Sequence, residues 1–144
     1  MKLRPIFAVV AGYLAWAAGF WVPAFALALA WPELRPLAQL AFEEGRYDVF
    51  ETPMLVSFQV IWIVANGAAG FVARLIAKRR LEVWVLAALL FAYFAYNHLW
   101  ALWNVMPDWY NVLVVVLVVP GVLLGSRVAE AIGARRGSGE TTTT

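Results

Sequence analysis

Residues 109–126 read WYNVLVVVLVVPGVLLGS, without one charged side chain. A hydrocarbon layer about 30 Å thick is crossed by roughly 20 apolar residues in helical form. This run falls just short of that length, and three longer ones precede it. Residues 6–32, 52–73 and 83–107 are equally free of Asp, Glu, Lys and Arg. The chain has 144 residues, 64% of them hydrophobic and only 14% charged. An ordinary soluble domain carries about 25% charged residues. A core of this size cannot bury four such runs, so lipid is the medium they imply. Backbone groups find no water there, and each segment must be helical or part of a closed barrel. Barrel strands alternate polar and apolar residues. The stretch VLVVVLVV at 112–119 does not alternate.

The sequence therefore predicts an all-α fold, a four-helix transmembrane bundle in one domain of residues 1–136. The spans are expected at about 6–31, 53–76, 82–105 and 108–131, with a loop at 32–52. Residues 137–144, GSGETTTT, read as a disordered polar tail, either native or left by cloning. Pro23 lies deep in the first run, where a missing N–H predicts a kink or a break.

Charge sets the expected orientation. Of the 11 Lys and Arg residues, nine fall on one side of the spans: Lys2, Arg4, Arg74, Lys78, Arg79, Arg80, Arg127, Arg135 and Arg136. Only Arg35 and Arg46 fall on the other, beside Glu33, Glu43, Glu44, Asp48 and Glu51. The positive-inside rule then puts both termini in the cytoplasm and the acidic loop outside. The expected location is the plasma membrane, in bacteria the inner membrane. Lys2 and Arg4 before an apolar run ending in FALALAW also suggest a signal peptide. Signal cores are about 7–15 residues long, so a retained anchor is the better reading. Within the loop, Pro36, Gly45 and the apolar face of Leu34, Leu37, Leu40 and Ala41 predict a short helix at 36–44. It would lie on the membrane surface or pack over the mouth of the bundle. Asp108 is placed as the N-cap of the last span.

Helices in lipid associate through close contact at small residues. Ala11, Ala15 and Gly19 recur every four positions, with Ala8 and Gly12 alongside. Ala65, Ala69 and Ala73 form a second stripe, and Gly121 with Gly125 makes a GxxxG. The segments GAAGFVARLIAKRR and GVLLGSRVAEAIGARR echo one another, as a duplicated two-helix unit would. These stripes serve packing inside the bundle, or contact with another subunit or a second copy.

No ionisable group stands at the middle of a span, which disfavours proton- or ion-coupled transport. The polar residues inside the spans include Tyr13, Ser57, Asn104 and Asn111. At 1.5 Å rise per residue, Gln59 and His98 lie about 9 Å and 8 Å from the outer end. Gln59, Asn66, Tyr93, Asn97 and His98 are the expected polar cluster. His98, the only histidine, is expected to bond to Gln59, Asn66 or a backbone carbonyl. Its alternative roles are cofactor-binding, as an axial ligand to a haem or pigment, and proton relay. Tyr93, Phe94 and Tyr96 are positioned to stack on a flat ligand. There is no cysteine, hence no disulfide or thiolate chemistry. No hydrolase motif, paired carboxylate or phosphate loop is present, and no catalytic residue, metal site or cofactor is assigned. Arg74, Lys78, Arg79 and Arg80 would attract anionic lipids. Nucleic-acid binding is not indicated, because the basic residues belong to span ends.

In outline the chain resembles small bacterial inner-membrane proteins. The leading expectation is a non-catalytic accessory or assembly subunit of a larger membrane complex. The alternative is a small-molecule or lipid-binding carrier or channel acting as a homo-oligomer. A third reading is a pigment- or haem-binding subunit.

Overall fold

The computed structural model describes residues 3–77 and 79–139, and the side chains of all of these except 42 and 134–139. Among the described residues it is all-helical. Helix α1 spans Arg4–Ala30, α2 Leu34–Glu44, α3 Thr52–Ile76, α4 Arg80–Tyr96 and α5 Asp108–Gly139. A 3₁₀ turn at Tyr47–Val49 precedes α3, and a π-helical turn at Asn97–Ala101 extends α4. Four helices are long and apolar enough to cross a membrane: Arg4–Ala30, Thr52–Ile76, Arg80–Ala101 and Asp108–Gly133. Their outer faces are apolar, with Phe7, Val22 and Leu124 each more than 60% exposed.

The helix ends follow local chemistry. Pro5 and Pro53 occupy first turns, where a missing N–H leaves no bond unmade. Gly45 ends α2 in the left-handed region at φ 68°, which glycine adopts without strain. Pro23 does not end α1, which runs unbroken through it. Helix α2 begins at Leu34, two residues before Pro36. Asp108 lies inside the first turn of α5, because Asn111 N–H already bonds the carbonyl of Pro107. Helix α5 continues through 137–139, the start of the expected disordered tail. Lys78 and residues 140–144 lie outside the described residues.

Helix α3 is the axis of the bundle, packed along α1 on one side and α5 on the other. It runs antiparallel to α1: a Cβ on Gly19 would stand 3.1 Å from Ala65 Cα, and one on Gly12 3.1 Å from the carbonyl of Ala69. Gly12 is buried with Ala8 and Trp16, while Ala11, Ala15 and Gly19 are half-buried. It runs parallel to α5, with Asn66 against Gly121 and Arg74 against Glu130. Any Cβ on Gly70 would collide with the carbonyl of Val122, and any Cβ on Gly125 with that of Gly67. The two segments that echo one another in sequence thus interlock backbone to backbone. Ala65 and Ala69 are fully buried, against Gly19 and Gly12 of α1. Helix α4 closes the ring against α5 and α1.

The seam sets a clear contrast. Gly125→Leu should destabilise the bundle by about 1–3 kcal/mol, the usual effect of overpacking. Gly67→Ala, whose Cβ meets nothing within 4 Å, should be neutral or slightly stabilising. Thermal unfolding in mild detergent, followed by tryptophan fluorescence, distinguishes them.

Candidate functional site

Side-chain size grades along the bundle. Near the N-terminus of α1 the interior holds Ala8, Gly12, Ala69 and Ala73, and the helices touch. Toward the end that carries α2, the same faces present Trp16 and Phe20 from α1, Trp62 from α3 and Phe94 from α4. These rings form a connected set. Phe20 and Trp62 stack at 4.1 Å, Trp16 and Trp62 at 5.6 Å, and Phe94 meets Trp62 edge-on at 4.7 Å. Large rings hold the backbones apart, and a cavity of about 410 Å³ opens among them. Helix α2 covers it through Leu34 and Ala38. The apolar face of that helix, with Leu34 and Ala41 buried, packs over the mouth of the bundle.

The polar edge of the cavity comes from the junction of α4 and α5. His98 is 5% exposed and lines the cavity. Its Nδ1 lies 2.9 Å from Oδ1 of Asn111, a residue with no exposed surface. Asn111 Nδ2 donates to the carbonyls of Met106 at 3.1 Å and, more weakly, Leu102 at 3.4 Å. The backbone places those carbonyls. Leu102 N–H bonds Asn97 O five residues back, the wider π turn. A tight turn then brings Met106 N–H onto Leu102 O. Tyr110 stands edge-on to His98 at 5.9 Å, and its hydroxyl accepts from Trp62 Nε1 at 3.1 Å. One hydrogen-bonded frame thus ties α3, α4 and α5 at this end.

Of the expected polar cluster, the structure brings Tyr93, Asn97 and His98 to the cavity and places Gln59 and Asn66 away from it. Asn66 lies under Gly121 in the α3–α5 seam. Gln59 is two helical turns earlier on the same face, buried, with neither amide atom hydrogen-bonded among the described residues. Asn97 bonds the carbonyl of Tyr93 within its own helix. The partner of His98 is Asn111, a residue visible as a polar candidate but not paired with it by depth alone. Trp16 and Trp62 are site residues that apolar patterning hid. The indole N–H of Trp16 is buried without a partner among the described residues. Tyr96 is two-thirds exposed and stays outside the cavity.

At the opposite end, Glu130 of α5 receives Arg74 of α3 at 2.9 Å and Arg80 of α4 at 3.1 Å. Arg4 donates to the carbonyl of Ile76, satisfying a terminal acceptor of α3. A groove of about 820 Å³ lies between α1 and α4 there, with Ile6, Val10 and Val85 as walls and Arg79 at its edge. Among the described residues no three His, Asp or Glu side chains gather to hold a metal ion. No protein-family model, curated protein or solved structure matches the chain.

Asn111→Leu should lower stability by about 1–3 kcal/mol, since it strands His98 Nδ1 and two carbonyls. Asn104→Leu, at an exposed position, should change it by less than about 0.5 kcal/mol. Denaturation midpoints of the two variants in one detergent provide the check.

Proposed function

We propose that the chain crosses the inner membrane four times with both termini cytoplasmic, and that its aromatic cavity binds a small ring-bearing amphiphile at the outer side. The protein is non-catalytic in this reading, a small-molecule or lipid binder rather than an enzyme. The single observation that carries it is the cavity of about 410 Å³ walled by large rings, Trp16, Phe20, Trp62 and Phe94 among them, with a buried histidine at its polar edge. Small-molecule sites are concave, mostly apolar, roughly 300–1,000 Å³ in volume, and fixed by a few polar groups. The apolar outer faces and the gathering of Arg4, Arg74, Arg79 and Arg80 at the end away from α2 support the membrane orientation.

An accessory-subunit role has less to stand on than the sequence suggests. The small-residue seams that motivate it are used within the chain, by α1, α3 and α5. Contact with a larger partner or a second copy would fall to exposed rings such as Trp100 and Trp84. Among the described residues of that basic set, anionic lipid contact falls chiefly to Arg79, beside the groove between α1 and α4, because Arg74 and Arg80 are both turned to Glu130. A haem- or pigment-binding role would use His98 alone among the described residues.

Two measurements test the reading. The chain has no cysteine, so single reporters are unambiguous. In intact cells a membrane-impermeant maleimide should label Glu44→Cys and leave Arg79→Cys unlabelled until the membrane is opened. The reverse pattern inverts the orientation. Native mass spectrometry from mild detergent should show a retained small ligand on the wild type, and reduced occupancy in Trp62→Ala. A protein that carries no ligand in lipid extracts, and equal occupancy in both proteins, would each refute the cavity as a binding site.

A further inference from the structure

We infer that the cavity selects a ring bearing a hydroxyl donor, which it bonds through Nε2 of His98. The inference rests on the ligand-binding reading above and deepens it. Its starting point is Asn111. A carbonyl oxygen only accepts, so the end of the Asn111 amide turned to Met106 O and Leu102 O is the NH₂ group. The reversed amide would set oxygen against oxygen at both contacts, so chemistry fixes the orientation. The Asn111 oxygen is thereby turned to His98 at 2.9 Å. An amide oxygen also only accepts, so His98 Nδ1 carries the hydrogen.

In the neutral ring the other nitrogen, Nε2, is then a bare lone pair. No donor among the described residues reaches it. It is also absent from the unpartnered polar atoms sealed off from the surface, although His98 as a residue is only 5% exposed. His98 is one of the residues that line the cavity. No carboxylate pairs with the ring among the described residues, so nothing there holds a charged imidazolium. The π turn starts one residue before His98, and the carbonyls it helps to place hold the whole arrangement through Asn111. The structure thus offers an incoming molecule a fixed acceptor beside flat aromatic walls.

That arrangement discriminates between ligand classes. A phenol, a ring alcohol or a hydroquinone presents an O–H to Nε2. A quinone carbonyl or an aryl ether presents a lone pair to a lone pair. The aromatic walls accept either ring, so the hydroxyl decides.

The test uses the whole protein in nanodiscs, labelled with ¹⁵N-histidine. With one histidine in the chain, the imidazole signals need no assignment. The probes are 2-naphthol and 2-methoxynaphthalene, the same ring with and without a donor. The expected result has three parts. In the probe-free protein the proton is on Nδ1. Naphthol binds about three- to tenfold more tightly than the ether, as one added hydrogen bond implies, and moves the Nε2 signal. In His98→Phe the preference disappears while binding of both probes persists. Equal or tighter binding of the ether overturns the inference and leaves the binding site standing. A proton on Nε2, or on both nitrogens, of the wild type overturns it independently of whether the variant folds. Porphyrin absorbance in the purified protein would give the lone pair to a metal and overturn it as well. Failure of both probes to bind overturns the ligand-binding reading and this inference together.

Discussion

Backbone contact between α3 and α5 is the constraint on which the rest of the architecture depends. Gly70 lies against the carbonyl of Val122, and Gly125 against that of Gly67. No larger residue fits at either place. In an apolar medium, burying leucine against leucine gains little, and close approach at small side chains drives association. Helix α1 then uses the opposite face of α3 in the same way, through Gly12 and Gly19. Three helices are fixed by these seams, and α4 completes the ring.

The cavity follows from where the small residues stop. On α1 the inward positions pass from Ala8 and Gly12 to Trp16 and Phe20. On α3 they pass, in the same direction through the bundle, from Ala73, Ala69 and Ala65 to Trp62. Rings of that size cannot nest as closely as methyl groups, so space remains between them. The Trp62–Tyr110 and His98–Asn111 hydrogen bonds hold the widened end in one geometry. The polar frame and the apolar cavity are therefore one construction, formed where tight packing gives way to aromatic filling.

Much of this was legible in the sequence, and the losses have identifiable causes. Charge-free runs marked all four long helices, because hydropathy over some twenty residues is a strong signal. Gly121 and Gly125 announced a seam through their spacing alone. The cluster of Gln59, Asn66, Tyr93, Asn97 and His98 was legible only in part. Rise per residue gives depth along a helix but not the direction in which a side chain points across the bundle. Gln59 shares the depth of His98 but does not line the cavity, and Asn66 lies two turns deeper, in the α3–α5 seam. The His98–Asn111 pair depends on a π turn and a tight turn between the two residues, and no periodicity encodes either. Trp16 and Trp62 carried no mark that set them apart from ordinary packing residues.

The glycine seam also sets where shape change can occur. Two rods held at touching distance near one end can tilt only about that point, and a small rotation there becomes a larger sweep at the far end. For α3 and α5 the pivot sits around Gly70 and Gly125, and at the far end, the rim roofed by α2, the Trp62–Tyr110 hydrogen bond opposes that sweep. A load on the bundle would therefore be felt least at the basic foot of the molecule and most at its aromatic rim, on the Trp62–Tyr110 bond.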